Sequence, residues 1–491
     1  MLGIGMSTAA SLRARARTRG LLPPAAAGLS GAAVGLLLAL AQPAPVALGA
    51  CALALVPLGA AVVAGPARAG ALAGALAYGG TFVWGYTDYF SPLYAYQGLV
   101  DARPEPSAIL VVIALAALPA AWMPLTAERA SSLVLWPLYL VGYVPGIVVP
   151  LLVTGDLGRV LPQDLALLGA LAITLLIVRL PPPPLELPRL APRAFTWLLI
   201  ALSLVSSAYI AVTFGVRSVP SLSDVYATRA AFDTALGGAA AAGYVVPWAA
   251  NAINPLLMAL GIARRRLDLV ALGLAGQLLI YANTGFKSVL FSIALIPLVY
   301  LAVTVAPRAF GLFAIAAAPA ILVGGVLADS LSGGWSLGLV RRLLATPGQV
   351  AWYFYDYFDA HPKYHLSHSF LGWLTSANYV DDPPGLIGHV YFPESNPSAN
   401  AHLWADAFAN FGFAGVVAFS AVLGVFLLVA DGLARGRDAR VFGPMLAIAG
   451  VSLASSALFT TLLTLGLGLG CVLMALMPPA AGTDARAGPS R

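Results

Sequence analysis

Charge is scarce in this chain: Asp, Glu, Lys and Arg together make up 9% of 491 residues, while hydrophobic residues make up 60%. A soluble enzyme of this length needs a far more charged surface, so that class is excluded. Cysteine is nearly missing. Cys51 and Cys471 lie inside apolar runs near opposite ends of the sequence, which argues against a disulfide and against a thiolate metal site. Lysine occurs only as Lys287 and Lys363, and histidine only as His361, His365, His368, His389 and His402, all within the stretch from Ser330 to Gly436. The formal net charge of +6 would suggest a nucleic-acid partner in a soluble chain. Here the basic residues fall in short connections between apolar runs, where they set membrane orientation, so no nucleic-acid partner follows.

What the chain does have is apolar runs of span length. They predict an all-α, polytopic transmembrane bundle of about 14 spans, with a long outer loop containing short helices. The expected spans are 21–41, 43–65, 69–87, 107–125, 131–153, 163–180, 194–215, 244–263, 267–283, 287–306, 309–329, 402–430, 441–458 and 461–477. Arg13, Arg15, Arg17 and Arg19 precede the first run and read as the basic cytoplasmic flank of an uncleaved helix. With the N-terminus inside, eighteen of the twenty-six Lys and Arg fall on the inner side, the asymmetry of a cytoplasmic face. Four regions follow: an N-terminal bundle over 1–193, a central bundle over 194–330 with an outer loop at 216–243, a large outer loop at 331–401, and C-terminal spans with a short cytoplasmic tail at 402–491. Prolines at 181–184, 188 and 192 make a stiff extended connector between the first two.

Candidate functional groups concentrate on the outer side. Ser221 to Asp224 has the spacing of a helix N-cap, and Gly237-Gly238 supplies a stop, so 222–236 is expected to be helical. Leu222, Val225, Arg229, Phe232 and Leu236 then share one stripe, which puts Arg229 among apolar residues. It either snorkels to headgroups or holds a phosphate. Arg217 precedes it, and Lys287 sits on the next outer turn as an interfacial anchor or a second anion ligand. Asn251 and Asn254 lie one turn apart beside Pro255, where an intramembrane amide most often joins helices.

The outer region 331–401 adds Arg341, Arg342 and an aromatic run from Trp352 to Phe358. It also holds His361, His365 and His368, whose spacing permits a metal site that Pro362 interrupts; no metal and no cofactor is expected. Aromatic faces beside Asp, Asn and His suit sugar rings, and suit headgroups equally. At the start of the twelfth span, after Asn400, His402, Asp406 and Asn410 fall at i, i+4 and i+8 as one polar stripe descending from the outer surface, a proton-handling arrangement. Gly412, Gly415 and Gly424 below it permit close helix approach.

Four stretches resemble a known family. SDVYATRAAF (Ser223 to Phe232), GYVVPWAANAINPLLMALGIARRR (Gly243 to Arg266) and QLLIYANTGFKSVLFS (Gln277 to Ser292) look like the central part of oligosaccharide repeat unit polymerases. SNPSANAHLWADAFANFGFAGVVAFSAVLG (Ser395 to Gly424) resembles their C-terminal helix, where an Asn-rich outer loop leads into a Phe-Gly-x-x-Gly pattern. These are the O-antigen polymerase-like proteins of bacterial envelopes, and the likeness covers about the second half of the chain. It implies a metal-independent glycosyltransferase in polysaccharide biosynthesis, a multi-pass protein of the bacterial cytoplasmic (inner) membrane with both termini cytoplasmic. Its substrate would be a lipid-linked oligosaccharide on polyprenyl diphosphate, passed to a lipid-linked repeat unit at the outer face. The bilayer, a chain-length regulator and a flippase are the implied partners. On that reading Arg229 acts in catalysis with His402 and Asp406. Arg217, Lys287, Arg341, Arg342, His365, His368, Asn251 and Asn400 bind substrate, and His365 or His368 are rivals for the base. Two other classes stand beside it: a transferase using polyprenyl-phosphate sugars, and a transporter or flippase of lipid-linked oligosaccharide.

Overall fold

Runs of Ala, Leu, Val and Ile leave the backbone no polar partner but itself, and in hydrocarbon only a helix satisfies every N–H and C=O within one segment. A computed structural model describes residues 65–480 apart from 186, 222–223, 333–334, 377–378 and 395–396, and every regular element among the described residues is helical. The helices are α1 (Pro66–Gly85), α2 (Pro106–Ala117), α3 (Ala130–Thr154), α4 (Leu157–Val178), α5 (Pro192–Phe214), α6 (Val225–Leu236), α7 (Ala242–Arg264), α8 (Leu267–Thr284), α9 (Lys287–Val305), α10 (Phe310–Ser332), α11 (Trp335–Leu344), α12 (Thr346–Ala360), α13 (Pro383–Tyr391), α14 (Leu403–Ala434), α15 (Ala439–Leu453), α16 (Leu458–Leu463) and α17 (Leu467–Leu476).

Among the described residues, nine segments are long and apolar enough to cross a membrane: α3, α4, α5, α7, α8, α9, α10, α14 and the α16–α17 pair. Of the fourteen expected spans, 21–41 and 43–64, with the basic N-terminal flank, lie outside the described residues. Those expected at 107–125 and 441–458 are helices too short to count, and α1 at 69–87 is diluted by Arg68 and glycines.

The bundle packs α14 along α4, α15 along the first half of α3, α12 along its second half, α7 on α8 and α10 on α1. Its centre is aromatic: Trp136, Tyr139 and Tyr143 are fully buried on α3. Their polar tips find backbone oxygens. Pro119 has no N–H for the Leu115 carbonyl, and the Tyr143 hydroxyl donates to that oxygen at 3.0 Å. A π turn at Tyr139–Tyr143 likewise loosens the helix ladder, and Tyr78 donates to Leu140 O at 2.8 Å. Polar contacts tie together both ends of the bundle. Arg129 pairs with Asp431 at 2.9 Å and Arg437 donates to Ala475 O at one end; Arg159 pairs with Asp356 at the other.

Two departures from straight spans shape the end of the bundle where α3 finishes. The first is a break in α14 at Phe411 (φ −144°) and Gly412 (φ 61°, ψ −149°). That second conformation is essentially reserved for glycine. The chain doubles back there: Trp404 Nε1 donates to Ser420 Oγ at 2.9 Å, the rings of Phe408 and Phe413 are 5.1 Å apart, and Gly415 packs on Ala407 O. Residues 413–434 make the span, and 403–410 is a half-helix folded beside its first turns. The polar stripe of His402, Asp406 and Asn410 therefore does not descend from the surface into one long helix, as expected. It rises from depth toward the break. Ser420 lies eight residues below Gly412, about 12 Å at 1.5 Å per residue, and Gly146, which faces His402, lies eight residues from the C-terminal end of α3. Both place His402 about 12 Å below that end.

The second departure concerns the region expected as a large outer loop. Val340 on α11 packs against Gly325 on α10, and Gly348 on α12 packs against Pro145 O on α3. From Pro347 to Tyr355, α12 is buried throughout. Its aromatic run is core, not a surface platform. The helix expected over 222–236 begins at Val225 in the structure; Leu222 lies outside the described residues.

Candidate functional site

Four cations expected on the outer side gather around one tyrosine and two neighbouring rings. The stripe on α6 works as read: Val225 and Phe232 are buried, and Phe232 packs on Phe214 and Phe286 at 5.0 and 5.6 Å. Gly285 (φ 62°) makes the turn between α8 and α9, and a Cβ there would stand 2.7 Å from Val225 O. Only glycine lets α6 sit this low on the turn, which carries Phe286 and Lys287 beneath it. The Arg229 guanidinium then lies 5.2 Å over the Phe286 ring, and Lys287 Nζ lies 5.1 Å from the Tyr226 ring. Arg341 stands 4.4 Å over Tyr94 and donates to Gln97 Oε1. Arg229 has its pKa lowered, first by burial and then by the nearby charge of Arg342, with Asp233 opposing weakly. Among the described residues no carboxylate lies within ion-pair distance of Arg229, Lys287, Arg341 or Arg342. Arg217 is exposed on the link after α5.

The second group belongs to the half-helix and the loop laid over it. Backbone N–H groups of Tyr364 and His365 donate to Ala409 O and Asn410 O at 3.0 and 3.2 Å, and Leu366 N–H donates to Asn410 Oδ1 at 2.8 Å. His365 (φ 50°) and Leu366 (φ 64°) are both left-handed, a conformation that costs roughly 1–3 kcal/mol per non-glycine residue. The strain brings His368 Nε2 to 3.7 Å from Asp406 Oδ1. His365 is exposed with its ring near Phe411, His361 stacks on Tyr357 at 4.0 Å, and Asn400 is exposed beside the descending strand of chain.

His402 does not join Asp406. Its Nδ1 accepts the Ala405 N–H at 3.1 Å as the N-cap of α14, which leaves the proton on Nε2, buried and without a partner. That ring edge faces Gly146, where a Cβ would stand 3.1 Å away. A cavity of ≈ 20 Å³, about the room of one water, adjoins it between Gln163, Tyr355 and Phe408. Two residues passed over in the sequence stand here: Gln163, whose Oε1 is unpartnered, and Asp164, fully buried on α4 with neither oxygen hydrogen-bonded. A carboxylate within an apolar run of span length was the available signal.

Asn251 serves another purpose. Its Nδ2 donates to Leu465 O at 3.1 Å and Trp248 Nε1 to Leu463 O at 2.8 Å, satisfying carbonyls freed where α16 breaks from α17. Asn254 accepts from Ser203 Oγ at 2.8 Å, the interhelical bond expected of such an amide.

No contact joins the cations directly to His368, Asp406 or His402 among the described residues. Helix α12 is their common wall. Gln349 Nε2 donates to Gln97 O at 2.7 Å, next to the Arg341 contact, while the adjacent Gly348 packs on Pro145, the neighbour of Gly146. Comparison of the chain with protein-family models, with curated proteins and with solved structures finds no match.

Proposed function

We propose that this chain is an integral membrane glycosyltransferase that passes a growing oligosaccharide from polyprenyl diphosphate to a lipid-linked repeat unit at the outer face of the bacterial cytoplasmic membrane. The carrying observation is the cluster of Arg229, Lys287, Arg341 and Arg342, drawn from three separate segments, with no carboxylate within ion-pair distance of them among the described residues. Cations held this close repel one another, and an anionic ligand relieves that cost. A diphosphate fits: when the anomeric carbon–oxygen bond breaks, the electron pair goes to the leaving phosphoryl oxygen, and fixed guanidinium groups in a poorly hydrated site stabilise the developing charge. The new bond forms from an acceptor sugar hydroxyl, whose proton must go to a base. His368 is the better placed of the candidates, because Asp406 faces its Nε2 and leaves Nδ1 to accept the proton. His402 caps a helix at depth. The chain needs no metal for this chemistry, and a chain-length regulator and a flippase are its expected partners.

The test is replacement of Arg229 by Ala in a strain lacking the native copy. Polymer should disappear and lipid-linked repeat units accumulate while the protein remains inserted; a normal distribution of chain lengths would remove the assignment. The half-helix at 403–410 favours a second reading, translocation of lipid-linked oligosaccharide past a re-entrant segment. Cysteine placed at 406 and labelled from each side decides between them, since alternating access exposes it inwardly in one state and a fixed outer site never does.

A further inference from the structure

At the end of the bundle that carries most of the basic residues, α5 and the turn between α7 and α8 enclose a second cavity, of ≈ 260 Å³. Arg193, Arg264 and Arg266 line it from two separate segments, with Thr196, Trp197 and Ile200 along one wall. Two of the three guanidiniums are held in place. Arg264 donates to Thr196 Oγ1, and Arg266 is held by Asp268 in the first turn of α8. Arg265 between them takes a left-handed conformation (φ 55°), which reverses the chain so that its two neighbours reach the same side. One carboxylate against three guanidiniums leaves the cavity with an excess of positive charge.

Its apolar wall continues along the outside of α5. Trp197 is 68% exposed, and Leu204, Val205 and Val212 carry the exposed face onward at one-face helical spacing. Charge at the mouth and a hydrocarbon track running away from it are complementary to one kind of molecule, an amphiphile with an anionic head.

We propose that this cavity is a binding site for the phosphodiester headgroup of an anionic phospholipid, with an acyl chain lying along α5. Arg193 and Arg264 grip the phosphate oxygens, Arg266 adds field, and Trp197 seats the glycerol region at the interface. A free phosphate would use the guanidiniums and leave the apolar track without purpose. The site is independent of the chemistry at the opposite end of the bundle.

The experiment is native mass spectrometry of the full chain released from micelles containing phosphatidylglycerol or phosphatidylcholine. The native chain should retain phosphatidylglycerol in preference to phosphatidylcholine by about tenfold or more, given roughly one factor of five per basic residue near a lipid charge. Arg193→Ala with Arg264→Ala should bring the two lipids level. Arg193→Ala alone, at an exposed residue, should lose part of the preference and covers the case in which the double variant fails to fold. Arg265→Gly removes a charge from the same turn without lining the cavity and suits the left-handed backbone; it should leave the preference unchanged. Equal retention of both lipids by the native chain, or equal loss from Arg265→Gly and Arg193→Ala, would overturn the site. Displacement of the lipid by millimolar inorganic phosphate would overturn the assignment to a lipid.

Discussion

His402 Nε2 faces Gly146 so closely that a Cβ on the glycine would stand 3.1 Å from it, and Leu167 Cδ1 would be 3.4 Å away on the other side. The imidazole caps its own helix through Nδ1 and fills the space left by a missing side chain through Nε2. Gly146→Val should therefore cost about 1–3 kcal/mol by overpacking, read as a lower melting temperature in detergent, whereas Gly146→Ala should cost less because it asks only a small displacement of the His402 ring.

His368 and His402 make opposite predictions. His368→Ala should lower polymer formation about a hundredfold, with little change in melting temperature. His402→Ala removes an N-cap and a buried ring, and should cost at least ~1 kcal/mol of stability. If activity per folded molecule falls more for His402→Ala than for His368→Ala, the base assignment is wrong.

The two histidines also show how far the sequence could be read. Hydropathy marks where α14 begins and ends, because apolarity is continuous across 403–434, and that same continuity hides the break at Phe411 and Gly412. One glycine among the several in this stretch takes a conformation closed to other residues, and spacing does not single it out. The stripe on α6 was legible because Val225, Arg229 and Phe232 obey helical periodicity locally. The approach of Arg342 to Arg229 was not, since it depends on α11 folding back along α10. The aromatic run at 352–358 fits a core helix and an interfacial one alike, and only its packing on α3 decides.

Gly412→Ala tests the break directly. With φ 61° and ψ −149°, an alanine there should cost about 1–3 kcal/mol or straighten the helix. Straightening would part Trp404 from Ser420, and a cysteine at 404 would then react with a membrane-impermeant reagent that does not label it in the native background.

Tyr364 and Tyr391 give a pH dependence. Burial raises both phenol pKa values, with neighbouring carboxylates adding to it. Each phenol keeps its proton in the folded chain to higher pH than in the unfolded one, so the unfolded state binds fewer protons across the interval between. Stability is then full below the unfolded value of about 10 and is lost as pH rises above it. Tyr391→Phe should reduce that loss; an unchanged alkaline slope would show that Asp356 and Tyr391 part before titration.

The carbonyls that end the half-helix, on Ala409 and Asn410, are capped by N–H groups of the His361–His368 loop rather than by the helix that follows. Anything that draws this loop outward uncaps the half-helix at its upper end, while its lower end stays seated against α3. The loop and the half-helix are thus one hydrogen-bonded unit that ends at the Gly412 turn, so a ligand that orders the loop also steadies the half-helix beneath it.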